Sequence, residues 1–307
     1  MKRLAITMGD AGGIGPEVAL KAARLIKSTS VEPVIIGDKR VMEEVASLTG
    51  LSLDVKVADV YPLREFKRGK PDKQSGKAAY EYIKHAVEGC LKGRYHAMVT
   101  APISKEALHL AGLRWPGHTE LIASLTDTKE YAMMLMGGPL RVLLVTTHLP
   151  LRKVPELITK ELLLSKFRLA LRASEMLGIE RPRIGVAGLN PHAGEAGVLG
   201  SEELEVIIPA IKGAQDEGIP LSGPYPPDII FYKAYRGELD ILVCMYHDQG
   251  LAPLKMIAFD RGVNLTVGLP IIRTSPDHGT AYDIAWKAVA DPTSMVEACR
   301  VALSLRV

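Results

Sequence analysis

The amino-acid sequence predicts an α/β protein built on a largely parallel sheet, and three observations carry that reading. Short apolar runs alternate with amphipathic segments of helical spacing along the whole chain. The run at 141–147 (RVLLVTT) is continuous and rich in β-branched residues, as a strand buried on both faces requires. At 307 residues the chain exceeds one minimal core and suits two modest α/β lobes or one large domain.

The elements follow in order. A first strand is read at 3–8, then a glycine-rich turn and a helix over 16–27, with Pro16 in the first turn, where its missing N–H is not needed. A strand at 33–36, a helix at 41–48, a helical spacing over 74–91 and a strand at 96–100 come next. After 141–147 a long helix spans 155–177, followed by a strand at 183–189, a helix near 202–215 and strands at 241–246 and 265–268. Two C-terminal helices close the chain. No internal repeat or low-complexity linker is present. The expected lobes are 1–120 with 262–307, and 121–261.

The apolar share of 47% and charged share of 24% suit a packed protein and argue against disorder. Lys plus Arg number 38 against 35 Asp plus Glu, too even a balance for a nucleic-acid or membrane-surface binder. The densest basic run, 64–73 (REFKRGKPDK), reads as a solvated loop. The first residues read as a strand rather than a signal peptide, and no apolar run approaches the ~18 residues of a membrane span. Cys90, Cys244 and Cys299 are far apart and odd in number, so buried free thiols in a reducing, cytoplasmic compartment are expected.

Ligands of open α/β sheets bind beyond the carboxyl ends of strands. Three histidines stand in such places: His148 after RVLLVTT, His192 after RIGVAGL, and His247 after ILVCMY, each with a loop or turn expected to follow. Three imidazoles from three strand ends suit one divalent cation with positions left open for water or substrate. Each alone reads equally as a satisfied loop histidine, and no short HxxxH spacing strengthens the set. Asp228 and Asp248 are possible carboxylate neighbours, or helix caps.

The loop GDAGGIGPE (9–17) turns tightly and presents a helix N-terminus, which suits an anion, or simply a structural turn. It matches neither GxGxxG nor a Walker A loop. Lys255, Asn264 and Arg273 offer cationic and polar groups for a carboxylate or phosphate, although each type is common at surfaces. At 117–120 (GHTE) His118 and Thr119 open an apparent helix and suit a phosphate, with Thr119 reading alternatively as an N-cap.

The segments GDAGGIGPE, TAPISKEAL, GHTELIA, TTHLPL, GLNPHAGE, MYHDQGLAPLK and GVNLTVGLPIIRTSPDHGTA occur in one order over about 3–300. In this the chain resembles the 4-hydroxythreonine-4-phosphate dehydrogenases of vitamin B6 synthesis. The resemblance implies a two-lobed α/β/α fold similar to isocitrate and isopropylmalate dehydrogenases. It implies a homodimer whose active site lies in a cleft completed by the partner, with a metal (zinc, magnesium or cobalt) on His148, His192 and His247. Substrate contacts are implied for His118, Thr119, Lys255, Asn264 and Arg273. By similarity of the loop HGTAxDIA, His278, Gly279, Thr280, Ala281 and Asp283 are expected to hold the adenosine half of NAD or NADP, with Asp283 favouring NAD.

The implied reaction is metal-assisted oxidation and decarboxylation of 4-phosphohydroxy-L-threonine to 3-amino-2-oxopropyl phosphate, with Lys105 and Asp248 as candidates for proton transfer. Relatives that oxidise D-threonate or D-erythronate 4-phosphate share these motifs. A metal-dependent hydrolase and a non-catalytic metabolite-binding protein are the rival readings. Two departures from the family pattern stand out. Ala11 replaces the usual proline of the first loop, and Ala285-Trp286-Lys287-Ala288 stands where Gly-Lys-Gly usually continues the cofactor loop.

Overall fold

The computed structural model describes residues 1–306. In chain order its strands and helices are β1 (Lys2–Thr7), α1 (Gly15–Ile26), β2 (Val31–Gly37), α2 (Lys39–Thr49), β3 (Lys56–Asp59), α3 (Lys73–Leu91), β4 (Ala97–Thr100), α4 (Lys105–Leu110), α5 (His118–Leu125), β5 (Ala132–Gly137) and β6 (Leu140–Leu144). They continue as α6 (Val154–Leu157), α7 (Lys160–Met176), β7 (Ile184–Ala187), α8 (Ile208–Asp216), β8 (Leu221–Tyr225), α9 (Pro227–Tyr235), β9 (Ile241–Cys244), α10 (His247–Ala258), β10 (Val263–Val267), β11 (Arg273–Pro276) and α11 (Thr293–Ser304). The α/β class read from the alternation is the class observed.

The chain forms two compact units, residues 1–129 with 269–305, and residues 130–268. The first unit carries five parallel strands in the order β3-β2-β1-β4-β11. Local chemistry explains its helices. Asp38 caps α2 by accepting from Arg40 N and Val41 N, and Asp72 caps α3 through Gln74 N and Ser75 N. Helices α1 and α11 pack together and against the strands, while α3 packs on β1, β2 and β4. Leu4, Ile6, Ile35, Met98 and Tyr82 are fully buried between them.

The second unit orders its strands β10-β5-β6-β9-β7-β8. Strands β6, β9, β7 and β8 are mutually parallel. Strand β5 runs antiparallel to both β6 and β10, which makes this sheet mixed. The division into units places β10 in the second, whereas the expected lobe boundary at 262 put it in the first. Val142, Leu144, Leu242 and Cys244 pack with Ile230 and Ala234 of α9 and Leu251 and Leu254 of α10. The alternate positions Leu143 and Val243 are buried too, as strands covered on both faces require.

Three expected elements differ. The long helix at 155–177 is broken at Ile158, whose backbone is extended, and restarts where the Thr159 hydroxyl caps α7 through Leu162 N. His247 is followed by helix α10 rather than a loop. The first of two C-terminal helices is absent: 282–288 is a run of turns, with Ala281, Trp286 and Ala288 in left-handed backbone. Short-range propensity is overridden there by contacts to the first loop, described below.

Candidate functional site

Strands β6, β9 and β7 are neighbours and parallel, so their carboxyl ends share one edge of the second unit. His148, His247 and His192 follow those three ends. The structure brings two of them together: the rings of His148 and His247 lie 5.4 Å apart between centroids, at 44°. They line a pocket of about 350 Å³ with Thr147, Leu151, Val154, Tyr246 and Asp248. Asp248 accepts from His247 Nδ1 at 2.7 Å. That bond favours the tautomer in which Nε2 keeps its lone pair for a metal.

His192 stands apart from the pair. Its Nδ1 lies 3.3 Å from Glu195 Oε2 on its own loop, and its side chain is exposed. No three His, Cys, Asp or Glu side chains meet as a metal-holding group among the described residues. The loop carrying His192 is itself unusual. His192, Ala193, Glu195 and Ala196 all have positive φ around Gly194 at +79°. A left-handed turn of L-residues costs roughly 1–2 kcal/mol per residue, so it persists only where surrounding bonds over-determine it. The chain that enters the loop is held by such bonds. Glu203, 1% exposed, accepts from Leu189 N at 2.7 Å and Asn190 N at 2.8 Å through Oε1, and from Asn190 Nδ2 at 2.9 Å through Oε2. Gln249, 7% exposed, accepts from Met245 N and donates to Gly188 O, both at 2.7 Å. Thr146 Oγ1 donates to Met245 O at 2.7 Å. The sequence reading passed over Gln249, Glu203 and Thr146. Their apolar neighbours are visible in the sequence, but which polar atoms they satisfy is not.

The donor set fits a first-row divalent cation in kind: imidazole nitrogens, with a carboxylate behind one of them. Asp228 joins no such group; it is exposed in the first turn of α9 and is not its cap, since the N-cap position is Pro226. In the same unit Lys255 is half-buried near the end of α10, its Nζ 5.9 Å from the Phe259 ring. Asn264 on β10 has a buried Oδ1 with no partner.

In the first unit, Arg273 at the start of β11 is 1% exposed. Its Nε and Nη2 both donate to Thr100 Oγ1 at the end of β4, at 3.2 and 2.7 Å. Burial lowers the guanidinium to about 9, opposed by the Glu120 charge, and leaves it protonated at neutral pH. His118 opens α5 behind an extended Gly117, and Thr119 is buried as the second residue of the helix. Thr119 is therefore not the N-cap. Burial first, and the Arg273 charge second, hold the His118 imidazole well below its ordinary range, so it is neutral. Its Nε2 is buried without a partner. A desolvated cation, an unpartnered imidazole nitrogen and a helix N-terminus together suit a phosphate or carboxylate. Lys105 is the exposed first residue of α4, behind the cap Ser104.

The segment 278–290 folds over the glycine-rich first loop. Thr280 O accepts from Ile14 N at 2.9 Å, and Tyr282 Oη donates to Asp10 Oδ2 at 2.7 Å. Trp286 Nε1 donates to Ala11 O at 2.9 Å, and Ala290 N donates to Glu17 Oε1 at 2.8 Å. Burial, partly offset by the Tyr282 hydroxyl and Gly12 N, raises the Asp10 carboxyl above its ordinary range. The bulk of Trp286 is turned against the 64–73 loop, with the Arg68 guanidinium 4.5 Å from its ring. That loop is only partly solvated, because Phe66 also packs at 5.7 Å from Trp286. His278, Gly279 and Asp283 are exposed, while Thr280 and Ala281 are half-buried.

Comparison with known proteins adds a second, independent line. A family model described as "Pyridoxal phosphate biosynthetic protein PdxA" matches residues 29–302. A 4-hydroxythreonine-4-phosphate dehydrogenase from Sulfurihydrogenibium sp. is 43% identical, over 100% of this chain and 99% of its own length. A D-threonate 4-phosphate dehydrogenase from Pectobacterium atrosepticum is 41% identical, over 99% of both chains. The solved structure of a 4-hydroxythreonine-4-phosphate dehydrogenase from Klebsiella pneumoniae superposes with a TM-score of 0.91 at 39% identity, covering 99% of both chains. Isocitrate dehydrogenase from Methylococcus capsulatus, at 15% identity and a TM-score of 0.52 over 99% of this chain and 85% of its own, shares the fold alone.

Proposed function

The chain belongs to the PdxA family of pyridoxal phosphate biosynthetic proteins, and we propose that it oxidises 4-phosphohydroxy-L-threonine with a nicotinamide cofactor. It is a dehydrogenase of a phosphorylated hydroxy acid, acting on a CH–OH group. The observation that carries the substrate class is the buried Arg273 beside the unpartnered His118 Nε2 at the start of α5.

In this reading Arg273, His118 and Thr119 hold the 4-phosphate, and that remote binding energy orients the carbon that reacts. Lys255 and Asn264 hold the rest of the substrate. The neutral His118 donates to the phosphate without adding a second charge beside Arg273. When bound, the nicotinamide accepts the hydride and a divalent cation supplies the Lewis acidity that makes the hydroxyl acidic. His148, His192 and His247 are the proposed holders of that cation, and imidazole donors favour zinc or cobalt over magnesium. Asp248 keeps the Nδ1 proton of His247 in place. The oxidised product is a β-keto acid, which loses carbon dioxide to give 3-amino-2-oxopropyl phosphate. Lys105 is assigned to proton transfer at the carbon left behind.

His278, Gly279, Thr280, Ala281 and Asp283 are assigned to the adenosine half of the cofactor, and the exposed Asp283 carboxylate favours NAD. A homodimer that shares its active site is proposed from large apolar side chains exposed on the second unit, among them Met256 at 83%, Val198 at 79% and Phe259 at 74%. A reducing, cytoplasmic setting is proposed from the free thiols of Cys90, Cys244 and Cys299. Among the described residues, no helix is long and apolar enough to cross a membrane.

The deciding experiment follows NADH formation by zinc-loaded protein with 4-phosphohydroxy-L-threonine and D-threonate 4-phosphate side by side. Preference for the first supports the proposal. Preference for the second moves the chain to sugar-acid oxidation with the same site, and phosphate release without nicotinamide would replace oxidation by hydrolysis.

A further inference from the structure

The carbonyl of Gly188 and the N–H of Leu189 belong to one peptide group, and two buried side chains hold its opposite edges. Gln249 Nε2 donates to the carbonyl at 2.7 Å, and Glu203 Oε1 accepts from the N–H at 2.7 Å. This peptide is the exit from β7 and the entry to the loop that carries His192. The other end of the Gln249 amide accepts from Met245 N, at the exit of β9 just before His247. Met245 O in turn accepts from Thr146, at the exit of β6 just before His148. One buried set of side-chain bonds thus links all three strand exits.

Two rare backbone features meet at Glu203. It begins a π-helical turn, Glu203–Ile207, just before α8, and its carboxylate holds Leu189 N and Asn190 N, at the entry to the left-handed turn at 192–197. The fit is close. An ideal Cβ on Gly188 would stand 2.8 Å from Ala193 Cα and 3.1 Å from Glu203 Oε1. One on Gly194 would stand 2.7 Å from Glu203 Oε2. Wide π-turns recur at functional sites because they redirect a side chain without ending the helix.

We infer that Gln249 and Glu203 are positioning residues that fix the His192 loop relative to His247 by clamping the Gly188–Leu189 peptide. The inference rests on the metal role proposed above for the three histidines. Neither residue touches substrate or cation; both act through the backbone that presents His192.

The test measures zinc affinity of the full-length protein by competition against a chromophoric chelator, for wild type, Gln249→Glu and Glu203→Gln. NAD+ affinity is measured in parallel by calorimetry. Gln249→Glu keeps the acceptor for Met245 N but sets an oxygen against Gly188 O. Glu203→Gln keeps the backbone acceptor but sets an NH2 against Asn190 Nδ2. The expected result is zinc affinity weakened roughly 10–100-fold in both, the range for groups that orient ligands, with NAD+ affinity unchanged. Unchanged zinc affinity in the folded variants overturns the inference, and so does a parallel loss of zinc and NAD+ binding, which marks general loosening. Wild type that binds no zinc fails the metal reading itself, a distinguishable outcome. Hydrogen exchange at the Leu189 amide of the unmodified protein is a check independent of variant folding: slow exchange is expected, and loop-like fast exchange refutes the clamp.

Discussion

Tyr282 Oη donates to Asp10 Oδ2 at 2.7 Å, joining the segment expected to hold the cofactor to the first loop of the chain. Asp10 is fully buried and also accepts from Gly12 N. Replacing Tyr282→Phe leaves that buried carboxyl with one donor fewer, a deficit of about 1–3 kcal/mol. The expected outcome is a lower urea midpoint with an unchanged slope, and weaker NAD+ binding as 278–283 loosens. An unchanged midpoint would show that the bond contributes nothing net.

Arg273 is the buried cation proposed to receive the phosphate. Arg273→Lys keeps a charge but loses the planar fork, so it is not a conservative change here. Loss of one charge-assisted hydrogen bond of about 1.5–3 kcal/mol corresponds to a KM raised on the order of 10–100-fold for the phosphorylated substrate. Steady-state kinetics decide it. A KM unchanged in the folded Lys variant removes Arg273 from the phosphate site.

His118 gives a pH dependence whose sign is fixed. Its folded-state pKa is depressed by burial and by Arg273. Stability from this group is therefore full above the unfolded value of 6.5 and is lost as pH falls from there toward the lower folded value. Thermal unfolding of wild type and His118→Gln from pH 8 to 5 is the measurement. Wild type should lose stability on acidification more steeply than the variant. Parallel curves would mean that His118 does not titrate differently in the two states.

How much of this was legible follows from which forces are local. Strands β6, β7 and β9 were readable because burial on both faces writes continuous apolar runs, and their exits located all three histidines. Strand β5 (AMMLMG) is apolar but has no β-branched residue, β8 (LSGPY) and β11 (RTSP) have no apolar run, and all three went unseen. Helix α10 was missed with Pro253 inside it, and α9 with Pro226 and Pro227 at its start. The proposed site residues of unambiguous type, His118, Arg273 and the three histidines, stood out by chemistry. Gln249 and Glu203 did not, because a buried amide or carboxylate is defined by the backbone atoms it satisfies. Glu203 in particular sits in the stretch SEELE, which reads as a solvated helix face.

Trp286 sets opposing effects against each other. At φ +61° it occupies left-handed backbone, so Trp286→Gly relieves roughly 1–2 kcal/mol of strain. The same change removes the indole bond to Ala11 O, typically about 1 kcal/mol, and the Arg68 contact, about 0.5–1 kcal/mol at a partly exposed site. It also exposes the apolar surface shared with Phe66 and restores chain freedom at the new glycine, roughly 0.5–1 kcal/mol in the unfolded state. The losses outweigh the gain, so Trp286→Gly should be less stable by about 1–2 kcal/mol. Chemical denaturation followed by far-ultraviolet circular dichroism reads this without relying on the deleted fluorophore. A variant at least as stable as wild type would show that left-handed strain dominates at this position, and that the tryptophan is held there at a cost.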